Sequence, residues 1–152
     1  VGMSAAEYGL PDAEDAKVSQ RSQKENQMIE NDFSHEIIGA AVEVQRVLGV
    51  GLLESAYAAA MQVELAEREL AFAREVPLSP VSKGRPLGEA YRADFIVEDA
   101  VILELKAVEA TNDLHRAQLL SYLRLSGLKL GLLINFHSFP VVKSVHRIVN
   151  KL

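Results

Sequence analysis

Alternating apolar and polar residues between positions 91 and 108 predict two β-strands joined by a tight turn. Residues 94–97 favour a strand, Glu98 and Asp99 supply the turn, and residues 101–108 form the second strand. Because side chains two residues apart leave the same face of a strand, Glu104 and Lys106 share one face. The opposite face is apolar and consists of Val101, Leu103, Leu105 and Ala107.

Apolar residues spaced three and four positions apart predict two helices ahead of this hairpin. The first helix is capped by Asn31 or Asp32 and ends near Leu48, where two nearby glycines match a left-handed helix end. The second helix begins at residue 52 or 53 and ends near residue 70. Both helices present an apolar stripe, so both are expected to cover a sheet.

The remaining pattern completes an α/β fold. An irregular strand spans residues 72–82, interrupted by Pro77 and Pro80, and a long strand spans residues 87–97. A helix capped at residues 111–113 runs to about Leu125, and residues 128–135 form a continuous apolar strand, which is typical of burial on both faces. A helix between two strands predicts their parallel pairing. The predicted order is αα-βββ-α-β, a central mixed β-sheet flanked by helices, with a last short strand or helix near residues 145–149.

Composition indicates one globular domain preceded by a polar lead. Residues 3–27 lack apolar periodicity, so residues 1–27 are predicted to be disordered or loosely ordered and residues 28–152 to form the domain. The chain contains no cysteine, which excludes disulfides and thiolate metal sites and fits a cytoplasmic location. No apolar run approaches the roughly 18 residues of a membrane span, and no signal-peptide pattern is present, so no membrane association is expected.

Charge is distributed unevenly along the chain. The formal net charge is -5, which argues mildly against a dedicated duplex-binding protein, because such a protein is expected to have a basic surface. Residues 115–152 nevertheless carry 6 basic residues and no acidic one, whereas residues 31–114 carry 7 basic and 15 acidic residues. The C-terminal third is therefore the candidate phosphate-facing surface. The alternative is an ordinary basic helix end and loop.

Two acids and a lysine are expected to meet in the predicted hairpin, since Asp94 lies on the strand next to Glu104 and Lys106. One interpretation is a solvent-exposed face with a cross-strand salt bridge, which stabilises only weakly. The other is a divalent-metal site, because two carboxylates supply the hard oxygen ligands that suit Mg²⁺ or Mn²⁺. A lysine beside such a metal can orient the attacking water and offset developing phosphate charge.

Three motifs carry a resemblance to a known superfamily. Asp94 followed after nine residues by Glu104-x-Lys106 resembles the core signature of the PD-(D/E)xK nuclease superfamily, although Ala93 stands where a proline usually precedes the aspartate. Gly51, Glu54 and Tyr57 fit the pattern of the GxxExxY protein family, and Gln118 and Tyr122 resemble the Gln-x-x-x-Tyr motif of RecB-type members. The resemblance covers roughly residues 29–150.

The resemblance implies a restriction-endonuclease-like core and a Mg²⁺- or Mn²⁺-dependent nuclease acting on nucleic acid, with DNA favoured. Asp94 and Glu104 would hold the metal, and Glu54 would complete or order its ligand shell. Lys106 would position the attacking water, with support from Gln118. The remaining implied residues are the substrate contacts Gln118, Tyr122, His115 and Arg116 and the structural residues near the site, Gly51 and Tyr57.

Simpler alternatives stand beside these assignments. A carboxylate such as Glu54 is favoured near a helix N-terminus by the helix dipole alone. His115, Gln118 and Tyr122 form one stripe of a helix, which is often merely the solvent-facing side. The alternative function is a catalytically silent module on a nuclease fold that binds nucleic acid or protein, and a further one is hydrolysis of a smaller phosphodiester. A homodimer is compatible with either function.

Overall fold

A computed structural model describes residues 13–88 and 90–151, with side chains from residue 29 onward. Contacts divide the chain into two compact units, residues 1–32 and residues 33–152. No helix in the described part of the chain is long and apolar enough to cross a membrane. The helices are α1 (Ala13–Leu48), α2 (Glu54–Glu67), α3 (Asp113–Ser126) and a 3-10 helix (Val141–Ser144); the strands are β1 (Phe72–Leu78), β2 (Val81–Ser82), β3 (Arg85–Pro86), β4 (Tyr91–Val97), β5 (Val101–Lys106), β6 (Leu130–Asn135) and β7 (Val145–Val149).

Helix α1 begins at Ala13 rather than at the predicted Asn31 or Asp32. Residues 13–30 are rich in Ala, Glu, Lys and Gln, which favour a helix even where no apolar stripe is present. The predicted disordered or loosely ordered lead therefore falls partly outside the described residues, at 1–12, and partly on this helix. From residue 33 onward the predicted apolar stripe is present, and its buried members are Ile37, Ala40, Ala41 and Val44.

Five strands form a mixed sheet in the order β1-β4-β5-β6-β7. Strands β1 and β4, β4 and β5, and β6 and β7 pair antiparallel, whereas β5 and β6 pair parallel across the connection that contains α3. The parallel register places Lys106 opposite Asn135. The prediction of an α/β fold with a central mixed sheet and a parallel pair joined through a helix is confirmed.

The sheet is covered on both faces. The α1–α2 core lies on one face and contains residues of both helices together with Val101, Leu103 and Leu105 of β5. The α3 core lies on the other face, where Leu119, Tyr122 and Leu123 of α3 pack on Ile102 and Leu133. Strand β6 is buried along its whole length, as expected for a strand covered on both faces.

Helix α3 has the predicted caps. The Asn112 side chain accepts a hydrogen bond from the His115 amide at 3.0 Å, and the Asn112 amide donates to His115 Nδ1 at 3.3 Å. Gly127 ends the helix in the left-handed conformation, with φ 76°, and donates to the Leu123 carbonyl at 2.9 Å. These two ends fix where α3 lies on the sheet.

The predicted strands at residues 72–82 and 87–97 are shorter than expected. Strand β1 ends at Leu78, β4 begins at Tyr91, and residues 81–86 between them form the separate two-stranded hairpin β2–β3. The Leu87 amide donates to the Pro80 carbonyl at 3.0 Å and closes the base of this hairpin. Pro80 cannot donate a ladder hydrogen bond, so the chain leaves the main sheet here.

Candidate active site

The carboxylates of Asp94 and Glu104 are interlocked across the β4–β5 hairpin. Backbone pairing between the two strands includes Phe95 with Leu103 and does not continue to the next pair, Asp94 with Glu104. Instead, the Asp94 amide donates to Glu104 Oε1 at 2.8 Å, and the Leu105 amide donates to Asp94 Oδ2 at 2.8 Å. Each carboxylate thus satisfies an amide of the opposite strand, and the two acids are held side by side.

The packing of β4 changes face at Asp94. Ala93 belongs to the α3 core and Phe95 to the α1–α2 core, although in a regular strand they would share a face. Strand β1 changes face at the same level, and between its two halves Glu75 has a positive φ of 49°. This irregularity coincides with the missing ladder pair, so side chains rather than backbone complete the hydrogen bonding at the site.

Lys106 and Glu54 complete a charged cluster around this pair. Lys106 is half-buried at the end of β5, and its ammonium acts electrostatically on Glu54, Asp94 and Glu104. Glu54 is the first residue of α2. Partial burial raises the pKa of Glu54, an effect that Lys106 opposes and Asp94 reinforces. Three acids and one lysine from β4, β5 and α2 therefore share one electrostatic environment.

Burial dominates the electrostatics of the two interlocked acids. Glu104 is only 6% exposed, and this burial, reinforced by the charge of Asp94, raises the pKa of Glu104 to about 8. Burial also raises the pKa of Asp94, while its hydrogen bond from the Leu105 amide and the nearby Lys106 oppose the shift. A pair of desolvated like charges with raised pKa values is typical of functional sites, and a bound cation would relieve the repulsion between them.

Tyr57 fixes the loop that leads into α2. Its ring is fully buried and stacks on Phe136, with ring centroids 4.6 Å apart. Its hydroxyl donates to the Gly49 carbonyl at 2.7 Å and accepts from the Leu52 amide at 3.3 Å. Gly51 has φ 93°, a conformation that disfavours any side chain. Tyr57 and Gly51 thereby determine where the chain enters α2 and where Glu54 lies.

Helix α3 brings Tyr122 and Gln118 to the same side of the sheet as the acids. Tyr122 is buried; this burial, followed by the charges of Glu104 and Asp94, raises its pKa, and a hydrogen bond with Gln118 opposes the shift. Both residues line a groove with a volume of about 950 Å³ that also includes Lys106. These two predicted substrate contacts therefore lie next to the charged cluster.

The other two predicted contacts, His115 and Arg116, differ in position. His115 lines the groove, although its Nδ1 accepts the helix-capping hydrogen bond. Arg116 is not among the groove-lining residues. Its guanidinium lies 3.3 Å from an Asp113 oxygen and 3.4 Å from Nδ1 of His146 on β7. The predicted stripe of His115, Gln118 and Tyr122 thus lies wholly along the groove, whereas Arg116, which was not part of that stripe, faces β7.

Comparison of the sequence with protein-family models identifies one superfamily. The family model of the PD-(D/E)XK nuclease superfamily matches residues 31–148, a segment that contains every residue of the charged cluster. The chain belongs to the PD-(D/E)XK nuclease superfamily. No curated protein and no solved structure matches the chain. The resemblance to the GxxExxY family stays a prediction, since the match is to the superfamily.

PD-(D/E)XK nucleases generally use divalent metals, and the donor set here fits such an ion. Asp94 and Glu104 supply hard oxygens, and one oxygen of each, Oδ1 and Oε2, makes no hydrogen bond within the described chain. Among the described residues, no three His, Asp or Glu side chains come together as a ligand set. The pair fits a cation that keeps water and substrate in its other positions, as Mg²⁺ does. Glu54 as a further ligand stays a prediction.

Sequence reasoning missed two residues around the site of this PD-(D/E)XK protein. Buried Asn135, opposite Lys106, binds the Val108 amide and carbonyl through its side chain and so fixes the chain that follows Lys106. Tyr91 lines the groove at the start of β4. The sequence signal for Asn135 was its position as the polar residue at the end of a long apolar strand. Tyr91 gave no local signal, because its neighbours in the groove come from distant parts of the chain.

Proposed function

We propose that the protein is a Mg²⁺- or Mn²⁺-dependent nuclease that hydrolyses phosphodiester bonds in DNA. The observation that carries this proposal is the interlocked pair of Asp94 and Glu104 next to Lys106, within the segment that matches the superfamily. The two acids and the lysine of the signature are present and close together, with Ala93 in place of the usual proline. A catalytically silent module gains nothing from a buried Glu104 beside a half-buried Asp94, because both carboxylates are unfavourably desolvated.

Asp94 and Glu104 are proposed to hold the metal through the carboxylate oxygens that bind no amide. Their opposite oxygens stay bound to the Leu105 and Asp94 amides, so the two ligands are oriented before substrate arrives. A bound divalent cation would supply a Lewis acid for the scissile phosphate and would neutralise the acidic pair. Glu54 is proposed to order this shell from the first turn of α2.

Lys106 is proposed to orient the water that attacks phosphorus. Hydrolysis joins the water oxygen to phosphorus and breaks the phosphorus–oxygen bond to the leaving strand, with negative charge increasing on the phosphate oxygens. The ammonium of Lys106 stabilises that charge, because it is half-buried and acts in a medium of reduced dielectric. Gln118 and Tyr122 border Lys106 in the groove and are proposed to contact the substrate.

The test is calorimetric titration of Mn²⁺ together with a cleavage assay on plasmid and oligonucleotide DNA. The wild type is expected to bind Mn²⁺ and cleave DNA, and the double variant Asp94→Ala/Glu104→Ala to do neither. Asp99→Asn is the matched control: Asp99 is an exposed acid on the turn of the same hairpin with φ 49°, a conformation that Asn tolerates. This control is expected to behave as the wild type.

Absence of both Mn²⁺ binding and cleavage in the wild type, measured with DNA present, would contradict the proposal. The catalytically silent binding module would then be the better description, a description that the net charge of -5 also favours. Cleavage that persists in the double variant would show that the chemistry lies elsewhere or comes from a contaminant.

A further inference from the structure

The groove beside Lys106 has a composition that the proposed chemistry does not require. Its volume of about 950 Å³ is at the upper end of small-molecule sites. It extends from Lys106 along the outer side of α3 to the base of the β2–β3 hairpin. Its lining residues are Pro80, Leu87, Tyr91, Lys106, Leu114, His115, Ala117, Gln118, Ser121, Tyr122, Arg124 and Leu125.

The groove surface is mainly apolar and unusually exposed. Leu114 is 74% exposed, Leu87 56% and Tyr91 44%, and all three lie in this one groove. Clustered exposed apolar side chains mark interaction sites more often than isolated ones do. A duplex would present its phosphate backbone to such a surface, since its bases are stacked inside, and phosphates gain nothing from leucine and tyrosine.

Tyr91 is placed to receive a base. Its ring packs on the buried Tyr122, with centroids 6.2 Å apart, so one side of Tyr91 is supported while much of the ring stays exposed. Tyr91 lies on β4 three residues before Asp94, about 10 Å along the strand. A base on Tyr91 would therefore belong to a nucleotide close to the phosphate at the acidic pair.

The charges of the groove also fit a nucleic acid strand. None of the residues that line it is acidic, and Lys106 and Arg124 are cationic. The β2–β3 hairpin at its edge carries two further exposed cations, Lys83 and Arg85. An apolar surface for bases with cations on its border is the combination that single-strand binding requires.

We propose that this groove binds an unpaired nucleotide of a DNA strand next to the scissile phosphate, with Tyr91 as the stacking surface. The substrate class is then single-stranded DNA, or a single-stranded end or flap, rather than continuous duplex. This inference rests on the proposed nuclease function, because that function gives strand binding its role. The binding itself can be measured without cleavage.

The test measures binding by fluorescence anisotropy in the presence of a chelator, so that no strand is cleaved. The probes are a labelled oligo(dT) strand, an abasic strand of equal length that has the same phosphates without bases, and a duplex of equal length. The wild type is expected to bind oligo(dT) at least about tenfold more tightly than the abasic strand or the duplex.

Variants at Tyr91 separate stacking from charge. Tyr91→Ala is expected to weaken oligo(dT) binding about 5- to 100-fold and to leave abasic-strand binding unchanged, because only the stacking surface is lost. Tyr91→Phe retains the ring and is expected to bind within about twofold of the wild type. Val63→Ala, which truncates an exposed apolar side chain on α2 outside the groove, is the control for nonspecific effects.

Binding of the abasic strand or the duplex as tightly as oligo(dT), no binding of any probe, or equal weakening of all probes by Tyr91→Ala would overturn the inference. Cleavage is measured separately, with Mg²⁺ on the same strands. Base-dependent binding without cleavage of any strand would leave the groove assignment standing and contradict the nuclease proposal. Cleavage of all strands with no effect of Tyr91→Ala would support the nuclease proposal and contradict the groove assignment.

Discussion

The two faces of β5 differ sharply although they belong to the same six residues. Val101, Leu103 and Leu105 are fully buried in the α1–α2 core, where nothing polar is required of them. On the opposite face Ile102 packs under α3, and the next two side chains are Glu104 and Lys106. We call the side of Val101, Leu103 and Leu105 the dry face of β5, and the side of Glu104 and Lys106 its charged face. The alternation of a single strand thus separates apolar packing from the charged cluster.

This difference teaches how the fold supports an unfavourable site. Holding the buried Glu104 beside the half-buried Asp94 lowers the stability of the folded state whenever both are ionised. The dry face gives the strand a rigid backing, since its side chains are packed among residues of α1 and α2. Substitutions on the two faces should therefore affect different quantities: the free energy of unfolding on the dry face, and metal binding and cleavage on the charged face.

Glu104→Gln on the charged face is expected to have the largest effect. Gln keeps an oxygen that can accept from the Asp94 amide but loses the anionic ligand, so Mg²⁺-dependent cleavage should fall about 1,000-fold or more, roughly 4 kcal/mol of transition-state stabilisation. Steady-state cleavage of labelled DNA measures it. A fall of less than tenfold, with Asp99→Asn unchanged, would remove Glu104 from the metal site.

Leu103→Ala on the dry face should reduce stability instead. Truncating a fully buried leucine costs about 2–5 kcal/mol in the free energy of unfolding. Cleavage per folded molecule should change by no more than about twofold, because the acids and Lys106 keep their backbone partners. Urea unfolding measures the first quantity, with Val63→Ala as an exposed control. An activity loss that exceeds the folded-fraction loss would show that the two faces are coupled.

The pH dependence of the metal-free protein should sharpen the contrast. The pKa of Glu104 is about 8 when folded and 4.5 in its ordinary state, so the folded protein binds the proton more tightly. The stability that this proton confers is complete below about pH 4.5 and is lost progressively as the pH rises through about 8, by a few kcal/mol at most. Urea midpoints at pH 5, 6.5 and 8 in chelator measure this.

Glu104→Gln provides the internal reference for that measurement, since it lacks the titrating group and leaves the dry face intact. Its stability should fall less than that of the wild type between pH 5 and pH 8. Parallel curves for the two proteins would mean that the Glu104 carboxyl ionises as an ordinary surface acid. Added Mn²⁺ should stabilise the wild type more at pH 8 than at pH 6, because fewer protons compete with the metal for the carboxylate oxygens at the higher pH.

Tyr57→Phe should have the smallest and most mixed effect. Its hydroxyl binds the Gly49 carbonyl and the Leu52 amide, so its loss should cost about 1 kcal/mol in unfolding free energy. The same hydroxyl fixes the loop before Glu54, so cleavage should also fall a few-fold. Thermal unfolding and cleavage rates measure the two effects. Stability loss without any change in cleavage would show that this loop does not position Glu54.

Much of the fold follows from local pattern in the sequence. The period-two alternation of β5, the long apolar run of β6 and the cap residues Asn112 and Gly127 each act within a few residues. Both caps and both strands are found, although β5 ends at Lys106 and β6 begins at Leu130, two residues inside the predicted bounds. The side-by-side placement of Asp94 and Glu104 also follows, because a tight turn fixes the register of a hairpin.

Other features depend on contacts that no local pattern encodes. The start of α1 was misplaced because helix propensity, not apolar periodicity, governs residues 13–30. The change of face at Asp94 requires a matching irregularity at Glu75 on another strand. The groove combines residues from the hairpin base, β4 and α3, so its apolar character becomes visible only when these segments are brought together.

The β2–β3 hairpin behaves as an exchangeable insert in this architecture. Its strands pair only with each other, and the backbone hydrogen bond between Leu87 and Pro80 closes it off from the five-stranded sheet. Loops that are closed at their base tolerate insertion and replacement at low energetic cost. This segment can therefore be lengthened, shortened or replaced at low energetic cost while β4 and β5 keep their pairing, so the outer edge of the groove is separable from the acidic pair.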